Sequence, residues 1–112
     1  MQVMETKAGK VSVYYTGSLE DERTERIASI KQACSTRILD KFATWKQANM
    51  TARGVELTLI STQRDWTQGE TDEAKKLQED WAWIKLQREQ SDVAEAEVTL
   101  AKTCEEVWAV EY

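Results

Sequence analysis

Apolar residues recur every three or four positions along most of the chain, which is the spacing of an amphipathic helix. Ser18, with Asp21 three positions later, supplies the side chains that cap a helix start. The apolar or small residues that follow share one helical face and are Ile27, Ile30, Cys34, Ile38, Phe42 and Trp45. We therefore predict a first helix from about residue 19 to about residue 52, with Gly54 as its stop.

The segment after Gly54 fits two patterns. Val55–Ile60 alternates between apolar and polar residues like a strand, whereas Val55, Leu59 and Trp66 also fit a helical stripe. Gly54 inside a helix would cost about 1 kcal/mol relative to alanine, a cost that packing can override. We interpret the segment as a second helix, from about residue 55 to about residue 67.

A third helix is predicted from about residue 71 to about residue 109. Thr71, followed by two acidic residues, gives a capping signal just after Gly69. One apolar stripe contains Leu77, Trp81, Ile84, Val98, Ala101, Cys104 and Trp108. A neighbouring stripe contains Trp83, Leu86, Val93, Ala96, Leu100 and Val107. Two stripes would let this helix contact more than one neighbour.

The segment before these helices, residues 1–17, is predicted to be an extended arm or a β-hairpin. Lys10–Tyr15 is rich in β-branched and aromatic residues, which is typical of a strand. A single strand cannot satisfy its own edges, so it must pair with Gln2–Met4 across a turn near Ala8–Gly9, pair with another chain, or stay loose.

Together these segments predict a mainly α fold, in which residues 18–112 form one helical domain. The architecture is an antiparallel helical hairpin or a small helical bundle, with a short N-terminal β-strand or hairpin. Residues 18–53 carry a net charge of +2 and residues 70–112 a net charge of −7. Because these charges attract, antiparallel pairing of the first and last helices is favoured.

The composition excludes most kinds of catalytic and binding site. The chain has no histidine, which removes the commonest general acid or base and most zinc sites. Its four dispersed glycines cannot form a phosphate-binding loop, and its net charge of −5 argues against nucleic acid as a partner. We expect no enzyme activity, no catalytic residue, no metal, no cofactor and no small-molecule substrate. We also expect no membrane span and no secretory signal peptide.

Five tryptophans are the unusual part of the composition. Three lie on apolar stripes and are expected in the core, namely Trp45, Trp81 and Trp108. Trp81 and Trp83 lie about 200° apart on a helix, so one of them should meet a second surface. The candidate interaction residues are Tyr14, Tyr15, Trp66 and Trp83.

Two parts of the sequence resemble a known family. Arg37–Asn49, which contains Trp45-Lys46-Gln47-Ala48-Asn49 and is followed by Arg53, resembles a helical segment of bacteriophage tail-fibre and tail-fibre-assembly proteins. The family commonly has a proline before the tryptophan, where this chain has Ala43-Thr44. Downstream, Trp83-Ile84, Arg88 and the stretch 91–95 are similar to the family's next helix.

The resemblance implies a phage structural or assembly protein without catalysis, and it carries no site residues over to this chain. The first expectation is a component or adaptor of a tail, baseplate or fibre that oligomerises through its helices. The alternatives are a tail-fibre assembly chaperone and an acidic helical inhibitor or regulator that binds a host protein. The expected partners are further copies of this chain or other tail proteins. The expected location is the virion, after synthesis in the host cytoplasm.

Overall fold

The computed structural model describes residues 2–7 and 10–15 by their backbone and residues 17–112 in full. Its elements are β1 (Gln2–Lys7), β2 (Lys10–Tyr15), α1 (Leu19–Lys41), α2 (Thr44–Ser61), α3 (Gln68–Leu100) and α4 (Cys104–Ala109). The prediction of a mainly α chain is confirmed, since helices dominate the part described in full.

The two strands pair antiparallel, with a register that runs from Gln2 opposite Tyr15 to Lys7 opposite Lys10. The turn predicted near Ala8–Gly9 lies outside the described residues. The side chains of Tyr14 and Tyr15 also lie outside the described part of the chain. Their role as interaction residues therefore stays a prediction.

The start of α1 follows the predicted capping pattern. The Asp21 amide donates to Ser18 Oγ at 3.2 Å, and the Ser18 amide donates to Asp21 Oδ2 at 3.3 Å. These reciprocal bonds satisfy two backbone donors that the helix itself cannot satisfy. The predicted cap at Ser18 and the predicted helix start at about residue 19 are confirmed.

The end of the first helix was predicted wrongly. Instead of continuing to residue 52, α1 ends at Lys41, and Ala43 adopts φ −56° and ψ 155° before α2 begins. The Gln47 side-chain amide donates to the Phe42 carbonyl at 2.8 Å, so the interrupted backbone keeps a hydrogen-bond partner. Phe42 is buried at the break.

Gly54 does not stop a helix, and the predicted boundaries at residues 52, 55 and 67 are wrong. It lies in the middle of α2, which continues to Ser61. A Cβ added at Gly54 would meet no other atom within 4 Å, so glycine is not required there for space. The chain leaves the helix only at Thr62, whose amide donates back to the Leu59 carbonyl at 3.2 Å.

The start of α3 lies earlier than predicted, at Gln68 rather than residue 71. The Glu70 amide donates to Thr67 Oγ1 at 3.2 Å, and the Thr67 amide donates to Glu70 Oε1 at 2.9 Å. This is a reciprocal capping box, and it places Gly69 inside the first turn. The sequence contains this capping signal, Thr67-x-x-Glu70, four residues before Thr71, which was predicted to cap the helix.

The predicted continuous helix to residue 109 is interrupted. The third helix ends at Leu100, and α4 starts at Cys104. The Glu106 amide donates to Thr103 Oγ1 at 3.1 Å, and Glu106 Oε2 accepts from the Lys102 amide at 2.7 Å. Because these bonds cap a new helix start, the chain changes direction at a defined point.

The described chain divides into two compact units. The terminal unit contains Met1–Cys34 and Gln90–Tyr112, and the middle unit contains Ser35–Glu89. Each unit has its own buried residues. The single helical domain expected over residues 18–112 stays a prediction.

The terminal unit has a small apolar core. Its buried members are Ile30, Ala94, Val98, Ala101 and Val107. Lys31 pairs with Glu95 at 3.5 Å, and Arg23 donates to the Ala101 carbonyl, so the two helical segments run antiparallel.

A fully buried carboxylate, Glu22, ties α4 to α1 within the terminal unit. Its Oε2 accepts from the Trp108 indole nitrogen at 2.8 Å, and its Oε1 accepts from the Gly17 amide at 3.3 Å. A Cβ on Gly17 would lie 2.9 Å from Asp21 Cβ, so glycine permits the backbone at residue 17 to approach the first turn of α1 this closely. The Arg26 guanidinium lies 5.7 Å from the centre of the Trp108 ring. The indole therefore contacts opposite charges at its edge and its face.

Gly54→Ala is expected to stabilise the protein by about 1 kcal/mol, because alanine has the higher helix propensity and the site is open. Urea unfolding followed by circular dichroism measures the difference. A loss of stability on this substitution would instead indicate that Gly54 ends a helix, as the sequence suggested.

Thr67→Ala is expected to lower the free energy of unfolding by about 1 kcal/mol, because it removes the hydroxyl that caps α3. Thr71→Ala is the matched control. Since Thr71 is exposed within the helix, its substitution should change stability by less than about 0.5 kcal/mol. The reverse ranking in urea unfolding would place the helix start at residue 71.

Candidate protein interaction surface

The helix α2 has two apolar faces, and only one of them is covered. Met50 and Leu57, two turns apart, are buried in the middle unit. On the opposite side, apolar residues follow at alternating steps of three and four. We name this row the α2 stripe, and its members are Trp45, Ala48, Ala52, Val55 and Leu59.

The large residues of the α2 stripe are exposed. The exposed fraction is 63% for Trp45, 56% for Val55 and 58% for Leu59. Ala48 and Ala52, which lie between them, are exposed as well. Folding of the middle unit therefore leaves a row of apolar side chains in contact with water.

A groove adjoins the α2 stripe, between α2 and the first part of α3. It consists of two adjoining cavities of about 460 and 510 Å³, which share Gly54, Thr58 and Trp81 as lining residues. The remaining apolar lining residues are Met50, Val55, Leu57, Leu59, Trp66, Ala74 and Leu77. Because Gly54 has no side chain, the groove stays open where the two cavities meet.

An ion pair fixes α2 beside α3. Arg53 Nε lies 2.7 and 3.0 Å from the two carboxylate oxygens of Glu73, and Arg53 Nη1 lies 2.9 Å from Glu56 Oε2. The hydrogen bond from Arg53 lowers the pKa of Glu73, and the bonds to Glu73 and Glu56 raise the pKa of Arg53. Charged groups on adjacent helices thus set which residues of α2 and α3 face each other.

The turn between α2 and α3 is held by a second ion pair. Arg64 donates to both oxygens of Glu70, at 2.7 and 3.0 Å. The pKa of Glu70 is lowered to about 2. The bond from Arg64 is the largest cause, and the hydrogen bond from the Thr67 amide is the next largest. The Trp66 indole nitrogen donates to the Leu57 carbonyl at 2.8 Å, which draws the turn against the last part of α2.

Two of the candidate interaction residues lie in the middle unit, where they have different surroundings. Trp66 is 37% exposed, and its ring lines the groove. Trp83 is half-buried. Its ring packs edge-on against the Phe42 ring, with 5.8 Å between the two ring centres, and the Lys41 ammonium lies 4.3 Å from the centre of the Trp83 ring. The candidate role of Trp83 in association stays a prediction.

The tryptophans expected in the core are distributed differently from the prediction. Trp45 is mostly exposed and begins the α2 stripe. Trp81 is half-buried and lines the groove, and Trp108 is half-buried against Glu22 and Arg26. Sequence reasoning missed the α2 stripe because it assigned Trp45 to the face of α1.

The α2 stripe and the groove are lined mainly by apolar side chains. Within residues 17–112, no group of three or more histidine, cysteine or acidic residues is arranged to hold a metal ion. Among the described helices, none combines the length and apolar character needed to cross a membrane. The chemistry that the α2 stripe and the groove provide is the burial of another apolar surface.

No protein-family model, curated protein or solved structure matches this chain. The resemblance of Arg37–Asn49 to phage tail-fibre proteins therefore stays a hypothesis.

Glu70→Gln is expected to lower the thermal midpoint at pH 7, and this effect should shrink as the pH falls. The folded-state pKa of Glu70 is depressed to about 2, so its stabilising contribution is complete above the ordinary value of 4.5. That contribution is lost as the pH falls from 4.5 towards 2. Thermal unfolding by circular dichroism between pH 7 and pH 3 measures the change.

Glu97→Gln is the control for removing one negative charge, since Glu97 is an exposed carboxylate on the same helix. Its effect on the midpoint should be smaller at pH 7. An equal effect of the two substitutions at every pH would contradict a specific role for the Arg64–Glu70 pair.

Proposed function

We propose that this protein is a non-catalytic helical component of a phage tail, baseplate or fibre, acting as an adaptor that associates with further copies of itself. The α2 stripe is the observation that carries the proposal. Three large apolar side chains, each more than half exposed, lie in one row on one helix. Apolar rows of this kind mark protein interaction sites, because monomeric proteins seldom leave them uncovered.

The resemblance to tail-fibre proteins supports the phage setting. The matched segment Arg37–Asn49 spans the end of α1 and the start of α2, and its tryptophan is the first member of the α2 stripe. The family's proline would correspond to Ala43 or Thr44, the two residues at which α2 begins. Proline is well tolerated at the first position of a helix, so a proline at Thr44 would be compatible with this helix start.

The groove favours one further candidate, a tail-fibre assembly chaperone. Its apolar walls, with Trp66 and Trp81, could hold an apolar segment of a client protein. A chaperone would bind its client transiently and be absent from finished particles. An adaptor would be retained in finished particles.

Light scattering after size exclusion tests self-association. The expected result is a stable mass at a multiple of 12.9 kDa, and Leu59→Gln should shift it towards the monomer. Leu100→Gln is the matched control, because Leu100 is 77% exposed but lies in the terminal unit. Circular dichroism checks that both variants keep their helices.

Two outcomes would contradict the adaptor proposal. A wild-type monomer at tens of micromolar would remove self-association and favour the chaperone candidate. Equal loss of association in Leu59→Gln and Leu100→Gln would show that association does not depend specifically on the α2 stripe.

A further inference from the structure

We propose that the α2 stripe pairs with the α2 stripe of a second copy, antiparallel and around a two-fold axis. This inference rests on the proposed function, and it names the partner, the orientation and the register. In the proposed register Ala48 faces Leu59 of the partner, and Ala52 faces Val55 of the partner.

The spacing of the α2 stripe is that of a coiled-coil seam. Steps of three, four, three and four keep the stripe on one side of α2 over about four turns. Thr62 continues the seam by one step, is exposed, and has helical angles of φ −80° and ψ −14°. The seam from Trp45 to Thr62 is about 26 Å long at 1.5 Å per residue.

Residue sizes along the seam favour the antiparallel orientation. In that orientation every layer contains one small and one large residue. The three layers are Trp45 with Thr62, Ala48 with Leu59, and Ala52 with Val55, and the two-fold axis repeats each of them. Because each layer combines a small residue with a larger one, the layer volumes differ less than when each residue faces its own copy, and the distance between the two helices varies less along the seam.

The parallel orientation gives layers of unequal volume. Trp45 would face Trp45 of the partner, while the next two layers would contain only alanine pairs. The helices would have to lie far apart at one layer and close together at the next. A parallel pairing therefore leaves voids beside Ala48 and Ala52.

The charges on α2 are compatible with the approach of a second copy. The whole chain has a net charge of −5, whereas α2 contains Lys46, Arg53 and Glu56 and is net positive by one. Among the positions that flank the seam, Glu56 is the one with a charged side chain, and the antiparallel register places it near Asn49 of the partner. An amide can donate to a carboxylate, so no like charges are opposed.

The pattern identifies a second copy as the occupant. The sizes along the seam are complementary to the same sizes read in the reverse direction, which is the condition for an isologous two-fold interface. Such an interface closes when two copies meet. The dimer would then be the building block that the rest of the assembly contacts.

Cysteine crosslinking tests the orientation in the full chain, with Cys34→Ala and Cys104→Ser so that only introduced thiols react. Ala48→Cys mixed with Leu59→Cys should form a crosslinked dimer. Each variant alone should crosslink at least about tenfold less, because in the antiparallel register its two copies lie about 16 Å apart along the helix axis. Crosslinking of each variant with itself would overturn the proposal in favour of a parallel pair.

A size swap tests the register without cysteines. Ala48→Leu and Leu59→Ala should each weaken the dimer about tenfold, because each creates layers that are too large or too small. The double variant restores one leucine and one alanine in each layer, so its dissociation constant should return to within about threefold of the wild-type value. Additive weakening in the double variant would overturn the register.

Failure of this inference can be distinguished from failure of the proposed function. A wild-type dimer or larger species that forms no crosslink between residues 48 and 59 would retain self-association and reject the α2–α2 interface. A wild-type monomer would reject both.

Discussion

The contact of α2 with the first part of α3 determines which apolar residues of α2 are buried and which are exposed. Met50 and Leu57 are buried within the middle unit, and burial of apolar side chains contributes more to stability than a partly exposed ion pair does. The Arg53–Glu73 pair instead fixes how α2 is turned about its own axis. Once that orientation is set, the α2 stripe has to face outwards.

Local signals along the sequence predicted the helical content and one helix start well. The Ser18–Asp21 cap needs only neighbouring residues, so its pattern is readable without tertiary context. The start of α3 was equally local, but two capping signals overlap there, at Thr67 and Thr71. Only the hydrogen bonds of Glu70, including those to Arg64, select the first. Local patterns therefore gave both candidates, and hydrogen bonds between residues three to six positions apart selected the first.

The α2 stripe could not be recognised while Gly54 was taken as a helix stop. Trp45 continues the three-and-four spacing of α1, so periodicity assigned it to the face that contains Ile38 and Phe42. The break at Phe42 resets the helix phase, because Ala43 leaves the helical conformation. The same spacing then carries Trp45 onto a different face together with Val55 and Leu59. Phe42 is buried at this break, and burial is set by tertiary contacts that single-sequence patterns do not contain.

The distribution of the tryptophans between the two units gives the molecule an uneven optical signature. Trp108 is the single indole of the terminal unit, whereas the other four belong to the middle unit. Intrinsic fluorescence therefore reports mainly on the middle unit, and far-ultraviolet dichroism reports on both. Comparing the two signals during unfolding would show whether the units melt together. Replacing the four middle-unit indoles with phenylalanine would leave a fluorophore whose emission follows one buried carboxylate.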